Sequence, residues 1–143
     1  MQKQNRIRVK ALGLILDRDR LFVAGCYEPV KQKTFYRALG GSVEFGETSL
    51  ETLQREFQEE IQAELINIQY LGCLENIFTY LNEPQHELIQ LYRADFGDRK
   101  FYELEQLPFV DGFNPPAIAE WVECDRFRSG ELWLVPEDCL KYI

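Results

Sequence analysis

One stretch of the chain, Ser49 to Gln62, has the period of a long amphipathic helix, and the other long segments do not. Apolar residues recur there at i, i+3, i+7 and i+11, which makes one stripe on a helix: Leu50, Leu53, Phe57 and Ile61. The preceding "TSLE" is a capping-box signature, in which Thr48 caps the helix and Glu51 bonds back. One long helix among extended runs indicates an α/β fold.

The segments before this helix have the pattern of strands. "IRVKALGLILDRDRLFVAGCY" predicts a hairpin that turns between Asp17 and Arg20. We expect a polar loop from Glu28 to Thr34. "FYRALGGSVEFGE" predicts a short strand, a tight turn at Gly40-Gly41 and a further extended piece.

The segments after the helix continue this pattern. "LINIQYLGCLENIFTYL" predicts one long or bulged strand and "HELIQLYRADF" the next, joined by a turn from Glu83 to Gln85. "ELEQLPFVDGFNPPA" predicts a loop and "IAEWVEC" a strand. The end predicts a short helix, an apolar run and a last helix after Pro136. Without repeats, low-complexity segments or linkers, we expect a single domain over residues 1–143.

Composition and charge limit the partners that we expect. The net charge is −8 and no basic patch is visible, which argues against polymeric DNA or RNA. An acidic protein can still handle a phosphorylated small molecule when divalent metal ions supply positive charge. No run reaches the about 18 apolar residues that a membrane helix needs. The basic start leads into no signal-type apolar segment, so we expect a cytoplasmic protein.

The four cysteines lie far apart and form no CxxC pair: Cys26, Cys73, Cys124 and Cys139. Zinc sites usually bring cysteines in such pairs, so the spacing argues against zinc. Ordinary core cysteines in a reducing compartment are the simpler interpretation.

Three carboxylates, Glu56, Glu59 and Glu60, share one side of the predicted helix. At ~100° per residue they lie roughly a third of a turn from the apolar stripe, along the margin of the buried face. Side chains at such a margin can line a cleft, and converging carboxylates suit a hard divalent cation such as Mg²⁺. A solvated charged face is the simpler interpretation of the helix by itself, but the glycines at a fixed distance before it and the order of its residues favour the cation site.

From Gly41 to Ala63 the chain is "GSVEFGETSLETLQREFQEEIQA". This resembles the Nudix box, G-x5-E-x7-R-E-U-x-E-E-x-G-U, where U is a bulky apolar residue. Seven positions match at the required spacing: Gly41, Glu47, Arg55, Glu56, Phe57, Glu59 and Glu60. Gln62 stands in place of the final glycine, which normally ends the helix in a left-handed cap, and Ala63 in place of the last apolar residue.

The resemblance implies a fold, a reaction and a set of site residues. The fold is a Nudix-type α/β/α sandwich with a mixed β-sheet between helices. The reaction is Mg²⁺- or Mn²⁺-dependent hydrolysis of a nucleoside diphosphate linked to another group. The metal ligands would be Glu56, Glu59 and Glu60, joined by the carbonyl of Gly40. Arg55 would orient a box glutamate by a salt bridge.

The residue that removes a proton from water varies within the family. Glu59 and Glu56 are candidates within the box, and the resemblance implies that Glu47 is either an alternative base or a group that supports the metal ligands without binding the metal. Later carboxylates are further candidates, although a structural or solvated role is the simpler interpretation of each: Glu103, Glu105, Asp111 and Glu120.

Substrate contacts are predicted from residues around the box. Arg37 is a candidate phosphate clamp or, more simply, part of a surface ion pair, and Gly41 lies beside the same site. Tyr36, Phe78 and Tyr80 could stack on a base, although aromatic residues in strands often belong to the core. The single histidine, His86, is predicted to be a solvated turn residue.

The substrate itself stays open among several candidates. A nucleoside triphosphate is the default, with an oxidised nucleotide as a variant. Tyr80 falls 17 residues after Ala63, close to where dinucleoside-polyphosphate hydrolases carry a tyrosine. Three further candidates are an ADP-ribose-type hydrolase, a nucleotide-sensing module without hydrolysis, and an isomerase that uses Cys26 or Cys73. A homodimer is compatible with every one of these candidates.

Overall fold

The computed structural model describes residues 5–110 and 117–143. Its elements follow one another in this order: β1 (Ile7–Asp17), β2 (Arg20–Glu28), β3 (Lys33–Arg37), β4 (Leu39–Ser42), α1 (Ser49–Ile61), β5 (Leu65–Tyr80), β6 (Glu83–Phe96), a 3-10 helix (Arg99–Tyr102), β7 (Gln106–Phe109), β8 (Ala117–Glu123), α2 (Cys124–Arg128), β9 (Trp133–Leu134) and a C-terminal 3-10 helix (Glu137–Tyr142). The predicted β1–β2 hairpin and the long bulged β5 are confirmed.

Strand β1 organises the sheet. It pairs in parallel with β6 and antiparallel with β4, and at its far end it pairs antiparallel with β2. The sheet then continues from β2 through β3 to β9, while β8 joins β2 and carries β7. Parallel and antiparallel pairs occur together, so the sheet is mixed.

Alternate residues of β1 point to opposite faces of the sheet, and each face has its own core. Ala11 and Ile15 pack with Leu53 and Phe57 of α1. The other face carries Leu12 and Leu14, covered by residues of α2 and of the C-terminal 3-10 helix, among them Phe127 and Cys139. Helices therefore cover both faces, and the predicted α/β/α sandwich with a mixed sheet is confirmed.

Helix α1 begins where the capping box predicts. The Thr48 side chain accepts the Glu51 N–H, and the Glu51 carboxylate accepts the Thr48 N–H. The predicted apolar stripe is correct for Leu53, Phe57 and Ile61 but wrong for Leu50, which is 40% exposed. Leu50 lies in the first turn, and Thr52 takes the buried position there instead.

Helix α1 ends at Ile61 although the usual glycine is missing. Gln62 itself adopts the left-handed conformation, with φ 54° and ψ 42°. Its N–H and that of Ala63 bond to carbonyls of the last turn, and its side chain donates to the Glu59 carbonyl. The chain therefore leaves the helix through a left-handed cap, at the steric cost of a Cβ in that region.

The predicted turn at Gly40-Gly41 is wrong, because both glycines lie in β4 and pair with Leu12 and Ala11 of β1. Close approach explains the two glycines. A Cβ on Gly40, whose φ is +153°, would lie 1.9 Å from the Ala11 carbonyl oxygen. A Cβ on Gly41 would lie 2.2 Å from Cδ of Glu56.

Other predicted boundaries also move. The chain reverses at Leu81-Asn82, both at positive φ, so the predicted turn at Glu83 to Gln85 belongs to β6. A two-residue reversal with positive φ at both positions matches the twist of the two strands. The predicted loop from Glu28 is shortened by β2 and β3. Within the second predicted loop, Gln106–Phe109 forms β7 through pairing with β8, and residues 111–116 lie outside the described residues.

Cys124 opens α2 instead of ending a strand. In the part of the chain that the structure describes, no helix has the length and apolar character needed to cross a membrane.

Candidate active site

The Arg55 guanidinium is the centre of a carboxylate cluster. It binds Glu47 through two hydrogen bonds, from Nε to Oε2 at 2.8 Å and from Nη2 to Oε1 at 3.0 Å. Nη1 donates to Glu56 Oε1 at 2.9 Å and to Glu59 Oε2 at 3.2 Å. Nη2 also donates to the Ser42 carbonyl at 3.2 Å, which ties α1 to the end of β4. The salt bridge that the sequence predicts for Arg55 is therefore present, and it involves three box glutamates.

Glu47 is held more firmly than the other members of this cluster. Besides Arg55, the Thr52 hydroxyl donates to Glu47 Oε1 at 2.6 Å. The Arg55 hydrogen bond, followed by the Thr52 hydrogen bond, lowers the pKa of Glu47 to about 2. The Glu47 hydrogen bond in turn raises the pKa of Arg55 above its ordinary value. Both groups are therefore fixed in their charged forms at neutral pH.

Thr52 is a site residue that the sequence reasoning missed. It is fully buried in the first turn of α1, and its hydroxyl also lies 3.1 Å from the Thr48 carbonyl oxygen. A buried hydroxyl needs a hydrogen-bond partner, and Glu47 provides one. The signal in the sequence is a threonine one turn after the cap, on the side of the helix that carries Leu53.

Glu56 and Glu59 differ in their access to solvent. The Glu56 side chain is 17% exposed and lies against Gly41, whereas the Glu59 side chain is 60% exposed. Glu60 is half-buried on the same helix. The Arg55 hydrogen bonds use one oxygen each of Glu56 and Glu59, and the second oxygens, Oε2 of Glu56 and Oε1 of Glu59, take no part in them.

The donor chemistry of these three glutamates fits a hard divalent cation, because Mg²⁺ prefers carboxylate oxygens. The absence of a side chain at Gly41 leaves room for the Glu56 carboxylate above the strand. In residues 5–110 and 117–143, however, no three acidic, cysteine or histidine side chains are gathered as a metal site. Arg55 instead holds two of the predicted ligands.

Arg37, the predicted phosphate clamp, is paired with an acidic residue. Its Nη2 donates to Glu87 Oε1 at 2.7 Å, and Glu87 is almost completely buried on β6. Arg37 Nε is buried and has no hydrogen-bond partner among the described residues. Arg37 therefore has one donor group already paired and one that is still unused.

The three predicted aromatic contacts lie on two strands, Tyr36 on β3 and the other two on β5. Tyr80, at the end of β5, packs edge-on against Phe35 of β3, with the ring centroids 6.2 Å apart. Tyr36 packs against Phe127 of the core. Phe78 is half-buried in β5. Tyr36 is thus a core contact, whereas Tyr80 lies at the margin of the sheet.

Two further polar groups of this region lie near the same strands. The Tyr80 hydroxyl is 3.9 Å from Cys26 Sγ. His86 is half-buried within β6, where it pairs in register with Ile7 and Ile77. The prediction of a solvated turn residue is therefore wrong for His86, because the reversal of the chain comes earlier than expected.

The later carboxylates lie on other elements. Glu103 ends the first 3-10 helix, Glu105 precedes β7, and Glu120 lies in β8 opposite Val23 and Gln106. Among the described residues, none of these three bonds to Arg55. Asp111 lies outside the described residues.

The four cysteines are all free, and only two of them are core residues. Cys124 and Cys139 are buried, and burial raises the pKa of Cys139 to about 12. Cys26 is half-buried and Cys73 is exposed on β5, so the prediction of four core cysteines is wrong for these two.

Comparisons with known proteins agree with this geometry. The family model described as NUDIX domain matches residues 6–133. Many solved structures share the fold, among them the following three. A NUDIX hydrolase from Nitrosomonas europaea has a TM-score of 0.65 at 16% identity, covering 95% of this chain and 87% of that one. A MutT NUDIX hydrolase from Burkholderia pseudomallei has a TM-score of 0.62 at 20% identity, covering 85% and 86%.

The third structure, a mMutator MutT protein from Bacillus halodurans, has a TM-score of 0.60 at 20% identity and covers 92% of this chain and 77% of that one. No curated protein sequence matches the chain significantly. At these identities the solved structures show a shared fold, whereas the family model spans most of the chain and shows membership. The chain therefore belongs to the Nudix family and is a Nudix hydrolase.

Proposed function

We propose that the chain hydrolyses a pyrophosphate bond in a small molecule that contains a nucleoside diphosphate, with Mg²⁺ or Mn²⁺ as cofactor. The observation that carries this proposal is the cluster in which Arg55 holds Glu47, Glu56 and Glu59 beside the glycines of β4. Membership of the Nudix family supports the class of reaction.

Glu56, Glu59 and Glu60 would hold the metal ion, together with the carbonyl of Gly40. When bound, such an ion neutralises phosphate charge and lowers the pKa of a bound water. Arg55 holds one oxygen of Glu56 and one of Glu59, which fixes the direction in which each carboxylate presents its second oxygen. Arg55 is thus a positioning residue in this proposal.

The proton of the attacking water needs a base within the site. A carboxylate with a pKa of about 2 is a weak base, so Glu47 fits a positioning role better than a proton-accepting one. Glu59 is more exposed than Glu56, and its contact with Arg55 is longer, at 3.2 Å against 2.9 Å. We assign the base role to Glu59, with Glu56 as the second candidate.

Arg37, Gly41 and Tyr80 would contact the substrate. Gly41 supports this assignment because it lies directly against Glu56. A nucleoside triphosphate is the substrate that we favour, including an oxidised one, ahead of a dinucleoside polyphosphate or an ADP-ribose-type molecule. The homodimer stays a prediction.

A substrate panel tests this proposal. The purified chain is incubated with nucleoside di- and triphosphates, an oxidised nucleoside triphosphate, ADP-ribose, NADH and diadenosine polyphosphates. Phosphate or pyrophosphate release is measured with Mg²⁺, with Mn²⁺ and with a chelator. We expect turnover of at least one substrate that disappears with the chelator. A folded protein that turns over none of them would contradict the proposal.

A nucleotide-sensing module is a second candidate, and one observation favours it. Arg55 pairs with two of the predicted metal ligands, and these ion pairs would compete with a metal ion for the same carboxylates. Such a module would bind a nucleotide tightly without releasing phosphate or pyrophosphate. Calorimetric titration with the same panel separates the two candidates, because binding without turnover supports the module.

A further inference from the structure

Lys10 lies in the middle of the sheet, away from α1. On β1 it is opposite Ser42 of β4 on one side and Ile89 of β6 on the other. Alternation along β1 places Lys10 on the face that carries Leu12, opposite the face that packs on α1. The side chain is half-buried, although lysine is one of the residue types least often buried without a partner.

The charges around Lys10 leave an excess of positive charge. The pKa of Lys10 is influenced by four charged side chains: Arg37, Glu87, Arg8 and Glu56. Arg37 and Glu87 pair with each other at 2.7 Å, Arg8 donates to a glutamine, and Glu56 is held by Arg55. The Lys10 ammonium makes no hydrogen bond or ion pair with any residue that the structure describes. Burial, and after it the charge of Arg37, lower the pKa of Lys10.

Two donors in this region therefore lack an acceptor. One is the Lys10 ammonium, and the other is Arg37 Nε, which is buried without a hydrogen-bond partner in the described residues. Leaving such groups unsatisfied costs free energy. A ligand can reach only the half-exposed Lys10 ammonium, because the Arg37 Nε atom is buried, and an anion with acceptor oxygens, such as a phosphate group, would satisfy that ammonium.

The strand next to Lys10, β4, also contacts the carboxylate cluster on the opposite face of the sheet. Lys10 pairs with Ser42, whose carbonyl accepts from Arg55, and the neighbouring Gly41 lies against Glu56. A single strand, β4, therefore links Lys10 to the glutamates of α1.

We propose that Lys10, supported by the Arg37–Glu87 pair, forms an anion subsite that binds a phosphate group of the substrate. That this phosphate group belongs to the substrate rests on the proposed function. Because Glu87 already compensates Arg37, Lys10 supplies the charge for the ligand, and Arg37, whose side chain is 24% exposed, borders the same site. The phosphate clamp predicted for Arg37 is thus shared, with Lys10 as the main cationic contact.

A titration with inorganic phosphate tests the subsite. Phosphate is added to the ¹⁵N-labelled protein in the absence of divalent metal, and its affinity is measured by NMR. The variants are Lys10→Met, Lys10→Arg and the control Lys33→Met, which removes a lysine that lies over Trp133. We expect Lys10→Met to weaken phosphate binding about tenfold, the loss expected for one charge-assisted hydrogen bond. Lys10→Arg should recover part of this loss, and Lys33→Met should bind as the wild type does.

Thermal unfolding of the same variants separates a binding role from a structural one. Removing a desolvated ammonium that has no partner among the described residues should leave the melting temperature of Lys10→Met unchanged or raise it. A lowered melting temperature with unchanged phosphate affinity would overturn the proposal and make Lys10 structural.

Kinetics with the best substrate of the panel complete the test. We expect Lys10→Met to raise KM more than it lowers kcat. Turnover with unchanged KM and phosphate affinity would overturn the subsite while the proposed function stands. Phosphate binding that depends on Lys10, without turnover of any substrate, would overturn the proposed function while the anion subsite stands.

Discussion

At the scale of single residues, the fork of Arg55 determines how the carboxylates are arranged. Its donors reach Glu47, Glu56, Glu59 and the Ser42 carbonyl together. A lysine has one ammonium and cannot make bidentate contact while also reaching the remaining acceptors. The geometry of the cluster therefore depends on arginine, beyond the need for a positive charge.

Arg55→Lys tests this dependence. We expect a loss of about 1–3 kcal/mol in the free energy of unfolding, because partly buried acceptors lose their donors. Turnover should fall about 10- to 100-fold, the usual effect of losing a group that positions metal ligands. Chemical denaturation and steady-state kinetics measure the two effects. Arg99→Lys, at an exposed position, is the control, and equal behaviour of the two variants would contradict the role of Arg55.

Glu47 predicts how stability depends on pH. Its pKa is about 2 in the folded protein against an ordinary value of 4.5, because Arg55 and Thr52 bond to the ionised form. A lowered pKa gives stability that is complete above the ordinary value and lost as the pH falls towards about 2. Glu47→Gln should therefore be less stable than wild type at neutral pH, and the difference should shrink on acidification. Urea denaturation at several pH values measures it, and a constant difference would contradict the assignment.

At the scale of elements, local signals are the ones that the sequence can predict. The start of α1 is predicted correctly because the capping box lies within four residues. The predicted Gly40-Gly41 turn is wrong because those glycines accommodate β1, about thirty residues away in the chain, and Glu56 on α1. A glycine pair signals close approach as readily as a turn, and only the strand pairing distinguishes the two.

The end of α1 offers a prediction about stability. Gln62 occupies a left-handed position that glycine adopts without steric cost. Gln62→Gly should raise the free energy of unfolding by about 0.5–1 kcal/mol, after the greater entropy of the unfolded glycine chain is allowed for. Gln58→Gly, in the exposed interior of the same helix, should lower it by about 1 kcal/mol. Denaturation of both variants tests this, and destabilisation by Gln62→Gly would contradict the strained cap.

At the scale of the whole molecule, the resemblance to the Nudix box predicts the sandwich, whereas the strand order comes only from the structure. The parallel pairing of β1 with β6 joins segments far apart in the chain. The same long-range pairing brings Lys10 near Glu87, to which Arg37 of β3 donates a hydrogen bond. Residues that meet through strand pairing leave no local pattern, so the sequence predicts the box glutamates and does not predict Lys10.

The proposed reaction depends most on the glutamates of α1 acting as a catalytic unit. The turnover number of Glu59→Gln with the best substrate of the panel tests this most directly, with Glu75→Gln, exposed on β5, as the control. We predict that kcat falls by about two orders of magnitude or more, while stability is unchanged or slightly higher because like charges on one helix repel each other. Unchanged turnover in a folded Glu59→Gln protein would contradict the assignment.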